Sequence, residues 1–209
     1  MIQFTYMKND SKIKYICGID EVGRGPVAGP VTVGLVLYKK EIEAEDGIFS
    51  DMPLLDSKKL SEKKRVEIVK KMRVWEREEK IFFTTASVTA KEIDKMGISL
   101  SIKKCIQTVL SKIAISPEEI IVLLDGGLFA GDKFPNQETI IKGDTKERSI
   151  ALASIVAKVT RDYHMEKQAE VYPEYGFEKH KGYGTKQHYE ALRAHGISPI
   201  HRVSYLSRL

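Results

Sequence analysis

The chain has 209 residues, of which 42% are hydrophobic and 30% charged, a composition that supplies a packed core and excludes a disordered or collagen-like polymer. Its 34 Lys and Arg against 29 Asp and Glu give a net charge of +5, which admits a polyanionic partner without requiring one. Only two cysteines, Cys17 and Cys105, are present, which excludes a disulfide framework and a paired-cysteine metal site. The longest apolar run, Val27 to Leu37, is far short of the ~20 residues of a membrane span, and Met1 to Lys14 lacks the apolar centre of a signal peptide. The expectation is a soluble cytoplasmic protein with no membrane partner.

Lys14 to Glu21 and Val31 to Tyr38 are apolar, β-branched and bounded by Gly and Pro, which predicts two strands joined through Gly23-Arg24-Gly25-Pro26. Ser61 to Trp75 places Val66, Val69 and Met72 at threefold spacing and predicts a helix. Lys80 to Val88 predicts a third strand. Thr89-Ala90-Lys91-Glu92 fits a capping box that opens a short helix. Ser101 to Ala114 carries a helical apolar stripe. Ile120 to Asp125 is an apolar run ending in an acid, the pattern of a buried strand, and Thr139 to Lys142 reads as a short strand before Gly143-Asp144. Glu147 to Glu170 predicts a long helix. A Pro-, Gly- and Tyr-rich connection, Tyr172 to Gly184, leads to a last helix, Thr185 to Ala194, stopped by Gly196. The order predicts an α/β core on a mixed sheet, one domain over 1–209 with roughly 167–209 as a C-terminal helical appendage.

Four acids stand where acids are structurally awkward. Asp20 and Glu21 end the first strand, Asp125 ends the apolar strand, and Asp144 follows the short one. Buried carboxylates repel one another unless a cation or a proton intervenes. If the strand ends converge, the result is an all-oxygen site suited to Mg²⁺ or Mn²⁺ and to phosphodiester hydrolysis. Each acid taken alone also fits a turn or a cap. Alternation sends Asp20 and Glu21 to opposite faces unless the strand ends or bulges there.

Gly23-Arg24-Gly25 follows the first acids directly, so a bare backbone and a guanidinium stand beside the candidate site. Between Ser57 and Arg73 eight cations face only Glu62 and Glu67, a run that by itself reads as a solvated helix face. Ser154, Lys158 and Arg161, at i, i+4 and i+7, share a helix face that reads as a phosphate rail or as snorkelling cations. Tyr183 lies between Gly182 and Gly184, free to present its ring to a sugar or base or to pack inward. His180, His188, His195 and His201 are too irregular for zinc and read as surface or capping residues.

In order along the chain, these motifs resemble the bacterial ribonuclease HII family. The matching pieces are Gly18-Ile19-Asp20-Glu21-Val22-Gly23-Arg24-Gly25-Pro26, Asp56-Ser57-Lys58-Lys59-Leu60, Leu124-Asp125-Gly126, Lys142-Gly143-Asp144, Ser154 through Asp162, His180 through Thr185, and His201-Arg202 with Ser204. The resemblance implies a ribonuclease H-like fold: a mixed, mainly five-stranded sheet flanked by helices, with a C-terminal helical part. It implies a metal site of Asp20, Glu21, Asp125 and Asp144 using Mg²⁺ or Mn²⁺. It implies cleavage of the RNA strand of RNA–DNA hybrids and cleavage 5′ to single ribonucleotides in duplex DNA, leaving a 3′-hydroxyl and a 5′-phosphate. Gly23, Arg24 and Gly25 would then hold the ribose 2′-hydroxyl, the group that separates RNA from DNA. Tyr183 would pack on the next sugar, and Lys58, Ser154, Lys158 and Arg161 would hold phosphates.

Leu55 departs from the small polar residue that relatives often carry there. The short stretch before the first strand and the Gly-Arg-Gly loop argue against the ribonuclease HIII type, which has an additional N-terminal domain. Nothing in the sequence requires more than a monomer, and the tail Val203 to Leu209 does not reveal a clamp partner. Two other readings stay open: another carboxylate-cluster nuclease, such as a junction resolvase or 3′-exonuclease, and a non-catalytic nucleic-acid-binding module.

Overall fold

The computed structural model describes residues 11–44, 48–49 and 59–206. Five strands form one mixed sheet: β1 (Tyr15–Val22), β2 (Val31–Lys39), β3 (Ile81–Val88), β4 (Ile120–Asp125) and β5 (Gln137–Ile140), in the order β3-β2-β1-β4-β5. β1 runs antiparallel to β2 and parallel to β4, so the central strand joins a β-meander to a parallel pair. The helices are α1 (Glu41–Ala44), α2 (Glu62–Arg77), α3 (Ala90–Met96), α4 (Ile98–Leu110), α5 (Arg148–Val171), α6 (Phe177–His180) and α7 (Lys186–His195). No described helix is long and apolar enough to cross a membrane.

Local chemistry sets several boundaries. Ser61 caps α2 by accepting from the Lys64 amide, and Thr89 with Glu92 forms the reciprocal capping box that opens α3. Thr185 caps α7, and Gly196 ends it at φ 78°. The helix expected from Ser101 begins earlier, at Ile98, because Gly97 ends α3 and starts α4 in the same residue.

Strand alternation divides the core in two. Cys17, Ile19, Val33, Leu35, Val122 and Leu124 face α4, whereas Ile16, Val36, Ile121 and Leu123 face α5 and α2. α5 lies against the sheet at backbone distance. A Cβ on Gly18 would stand 2.1 Å from the Ser149 carbonyl carbon, and one on Gly34 would stand 2.2 Å from the Ala153 carbonyl oxygen. The two bare positions on neighbouring strands are therefore the slot into which α5 sinks. A third cluster joins Met165 of α5 to Ala28, Tyr175, Phe177 and Leu192, and ties the C-terminal helices to the loop between β1 and β2.

Candidate active site

The site lies where β1 and β4 part. Their pairing ends at Ile19–Leu124, while β1 continues beside β2 as far as Val22. Asp20 and Asp125 fall on the α5 side of the sheet, in register with Ile16 and Leu123 respectively. Glu21 falls on the other side. All three nevertheless line one cavity, together with Val22, Arg65, Ser154, Lys158 and Tyr183. The alternation that sets Asp20 and Glu21 apart is overcome by the gap beyond the last β1–β4 pair, with no bulge in the β1–β2 ladder. Such a cavity, at the carboxyl ends of parallel strands, is where α/β sheets bind ligands.

Each acid is held by its neighbours. Asp20 is 5% exposed; its Oδ1 accepts from the Glu21 amide at 2.7 Å, and the Ser154 hydroxyl hydrogen-bonds the same carboxyl. The slot made by Gly18 and Gly34 brings Ser154 this close. Burial pushes the Asp20 pKa up to about 8; the Ser154 bond opposes the rise, and Glu21 and Asp125 add repulsion. Glu21 is raised too, first by burial, with Arg24 pulling the other way through a 3.0 Å ion pair to Oε1. The second oxygen, Glu21 Oε2, is buried without a hydrogen-bond partner. Asp125 Oδ1 accepts from the Gly143 amide at 2.7 Å. That bond draws in the turn carrying Asp144, which is 2% exposed but does not line the cavity wall.

Among the described residues no three acids, histidines or cysteines are gathered into a ready-made ion cage. The donor set still fits a hard divalent cation: all the donor atoms are oxygens, two of them (Glu21 Oε2 and Asp144 Oδ2) are buried without a hydrogen-bond partner, and the Asp20 carboxyl is driven toward protonation by burial first and then by its acidic neighbours.

The cationic wall comes from two helices. Lys158 pairs with Asp162 at 2.8 Å, and Arg65 of α2 approaches the same carboxylate at 3.9 Å. Arg65 belongs to the eight-cation run, where nothing in the sequence distinguishes it from its neighbours, and Asp162 is the buried acid that holds both cations at the cavity.

Arg161 is placed differently from the phosphate-rail expectation. It is fully buried, and its Nε and Nη2 donate to the carbonyls of Pro30 and Ala28. The reason is the slot: where α5 passes under the 23–30 loop, its next cation is enclosed by backbone carbonyls. Arg202 does the same from the C-terminal side, donating to Gly23, Arg24 and Gly29. Two buried guanidiniums thus hold the 23–30 loop from below, Arg202 at Gly23, Arg24 and Gly29 and Arg161 at Ala28 and Pro30. Gly23 is required there, since φ is +92° and a Cβ would stand 2.4 Å from Arg161 Nε, whereas a Cβ on Gly25 would meet nothing within 4 Å. The loop is anchored at Gly23 and open at Gly25.

The histidine expectation is corrected as well. His180, His188 and His201 are buried, not surface residues. They stack beneath the Gly182–Gly184 turn, which leaves the Tyr183 ring 44% exposed at the cavity. Lys58 and the Leu55-Asp56-Ser57 segment lie outside the described residues.

Carboxylates facing two held cations and a bare glycine loop stand together at the mouth of a mixed sheet, on a ribonuclease H-like α/β fold. The profile of the Ribonuclease HII family matches residues 17–208, and the chain belongs to that family. It is 44% identical over 199 residues to the ribonuclease HII of Sulfurovum sp., covering 95% of this chain and 94% of that one. It is 42% identical over 200 residues to the ribonuclease HII of Clostridioides difficile, covering 96% and 73%. The ribonuclease H2 crystal structure from Pyrococcus horikoshii superposes with a TM-score of 0.71 at 26% identity, covering 91% and 93%. The structure of Bst-RNase HIII in complex with Mn²⁺ superposes at 0.63 with 17% identity, covering 91% and 65%, and shares the fold. The protein is a ribonuclease H, an endonuclease acting on RNA–DNA hybrids and removing ribonucleotides from DNA, in a family that depends on divalent metal.

Proposed function

We propose that the enzyme cuts immediately 5′ to a ribonucleotide, whether single in duplex DNA or within a hybrid, and leaves a 3′-hydroxyl and a 5′-phosphate. Asp20, Glu21, Asp125 and Asp144 hold Mg²⁺ or Mn²⁺. When bound, the metal supplies a nucleophilic hydroxide from water and charge stabilisation for the leaving oxygen. The protein's own residues do the rest. Ser154 fixes the Asp20 carboxyl. Lys158 and Arg65, held by Asp162, neutralise phosphate beside the scissile bond, and Lys58, which precedes α2 in the sequence, serves the neighbouring phosphate. Gly23, Arg24 and Gly25 receive the 2′-hydroxyl on the open side of the loop, and Tyr183 packs against the following sugar. Arg161 is a positioning residue beneath that loop. The unit acts in the cytoplasm as a monomer of one domain, with the C-terminal helices forming part of the site.

The observation that carries this reading is the meeting of Asp20, Glu21, Asp125, Ser154, Lys158 and Tyr183 on one cavity. A non-catalytic binding module has no use for three acids beside a phosphate. The test is cleavage of a labelled DNA duplex containing one ribonucleotide, beside an all-DNA duplex, in Mg²⁺, Mn²⁺ and chelator. The expected result is a metal-dependent cut 5′ to the ribose with the all-DNA strand intact. Asp20→Asn should lower turnover on the order of a thousandfold or more while retaining binding. Binding without cleavage in either metal would overturn the reading.

A further inference from the structure

Beneath the Tyr183 turn, hydrogen bonds fix the tautomer of each ring in a chain of imidazoles. His201 Nδ1 accepts from the Ser198 amide at 2.9 Å, so the His201 proton lies on Nε2. That atom is 2.9 Å from His188 Nε2, which accepts. The His188 proton therefore lies on Nδ1, 2.9 Å from the Tyr183 carbonyl oxygen. His180 closes the turn from the other side: its Nδ1 accepts from the Gly182 amide at 3.2 Å, and its Nε2 bonds the Tyr175 carbonyl at 2.8 Å. Each bond leaves its partner one possible role, so the chain is directional from the Ser198 amide to the Tyr183 carbonyl.

The residue after His201 is Arg202, whose guanidinium holds the carbonyls of Gly23, Arg24 and Gly29. Adjacent residues on one segment thus reach two loops, the Gly-Arg-Gly loop through Arg202 and the Tyr183 turn through His201 and His188. Backbone bonds also hold the turn: the Tyr183 amide donates to the His180 carbonyl, the Tyr183 carbonyl accepts from the Thr185 amide, and the Gly182 carbonyl accepts from the Val27 and Ala28 amides, so the imidazole relay adds a side-chain hold on the Tyr183 carbonyl to a turn already fastened to the loop. Arg161 stands 6.0 Å from the centre of the half-exposed Tyr183 ring.

We infer that His188 and His201 are positioning residues that fix Tyr183 relative to the Gly-Arg-Gly loop and so set the preference for a ribose followed by a deoxyribose. The inference rests on the roles proposed above for Tyr183 and the loop. The spacing between the 2′-hydroxyl contact and the next sugar is the distance that a junction-selective enzyme must hold constant, and the His201-Arg202 dipeptide spans it.

The test compares single-turnover cleavage of a duplex containing one ribonucleotide with that of a uniform RNA–DNA hybrid, for the full chain and its His188→Phe, His188→Asn, His201→Phe and Tyr183→Ala variants. Phenylalanine keeps the stacked ring and removes the relay. Asparagine keeps a donor toward the Tyr183 carbonyl. Losing the relay should lower the junction-to-hybrid rate ratio on the order of tenfold, with partial recovery in His188→Asn. Imidazole ¹⁵N shifts of the unmodified protein should report Nδ1–H at His188 and Nε2–H at His201, a readout independent of whether any variant folds. The opposite tautomers would overturn the inference. So would an unchanged ratio in folded His188→Phe when Tyr183→Ala alters it. If Tyr183→Ala itself leaves the ratio unchanged, the reading of Tyr183 falls, and the relay inference with it.

Discussion

Asp20, to which we assign a metal-binding role, stands in an unfavourable place. Its carboxyl is buried, repelled by Glu21 and Asp125, and steadied by one hydroxyl and one amide. The folded state therefore binds its proton more tightly than the unfolded chain does. With a raised native pKa, the stabilising contribution is present below the ordinary aspartate range near 3.8 and is lost as pH rises through about 8. In chelator, Asp20→Asn should melt above the parent at pH 8 by ~1–3 kcal/mol, and the two should converge near pH 4. Equal denaturation midpoints at pH 8 would mean that the carboxylate is solvated. Saturating Mg²⁺ should reverse the order, because the cation stabilises only the chain with the full acid set. Arg24 contributes little to this balance, since its pair with Glu21 faces solvent on the arginine side.

At the scale of elements, the site depends on how deeply α5 enters the sheet. Gly34→Ala places a methyl 2.2 Å from the Ala153 carbonyl oxygen, and neither backbone can yield without moving Ser154 from Asp20. We expect a loss of about 1–3 kcal/mol in a urea titration and a fall in turnover larger than that stability loss explains. Much of this architecture is legible in the sequence because its causes are local. Ser61, Thr89 with Glu92, and Gly196 announce helix ends within a few residues, and Ile120 to Asp125 declares a buried strand by composition alone. The strand-end acids are legible for the same reason: an acid after five apolar residues has few structural excuses. The slot is not legible, because Gly18 and Gly34 matter through a helix more than a hundred residues later. Arg161 misleads because its spacing from Lys158 is that of a shared helix face, while its partners are backbone carbonyls that no residue pattern encodes. His188 and His201 look irregular along the chain because their relation exists only after α7 folds back.

Over the whole molecule, two apolar layers sandwich the sheet, and a third cluster fastens the C-terminal helices beneath the site. The third cluster is the acid-sensitive part. Burial first, with neighbouring imidazoles adding to it, lowers His188 and His201 to about 4. The unfolded chain takes up these protons near 6.5, so the contribution is complete above that value and is lost as pH falls toward 4. Thermal midpoints measured from pH 7 to 4.5 in the Asp20→Asn background, which removes the opposing carboxyl, should fall steadily with acid. His188→Phe should flatten the slope. A flat profile in the Asp20→Asn protein would show that burial does not hold the imidazoles neutral.

The bond from Arg202 to the Gly23 carbonyl joins residues 179 positions apart. At about 5–20 residues per second, a ribosome makes Gly23 on the order of ten seconds or more before it makes Arg202. Asp20 and Glu21 exist from the start of that interval and Asp125 and Asp144 join them before it ends, but throughout it the loop has no Arg202 to hold its carbonyls. The loop is therefore fastened late: until residue 202 is made, the carbonyls of Gly23, Arg24 and Gly29 have no guanidinium from that segment to accept from.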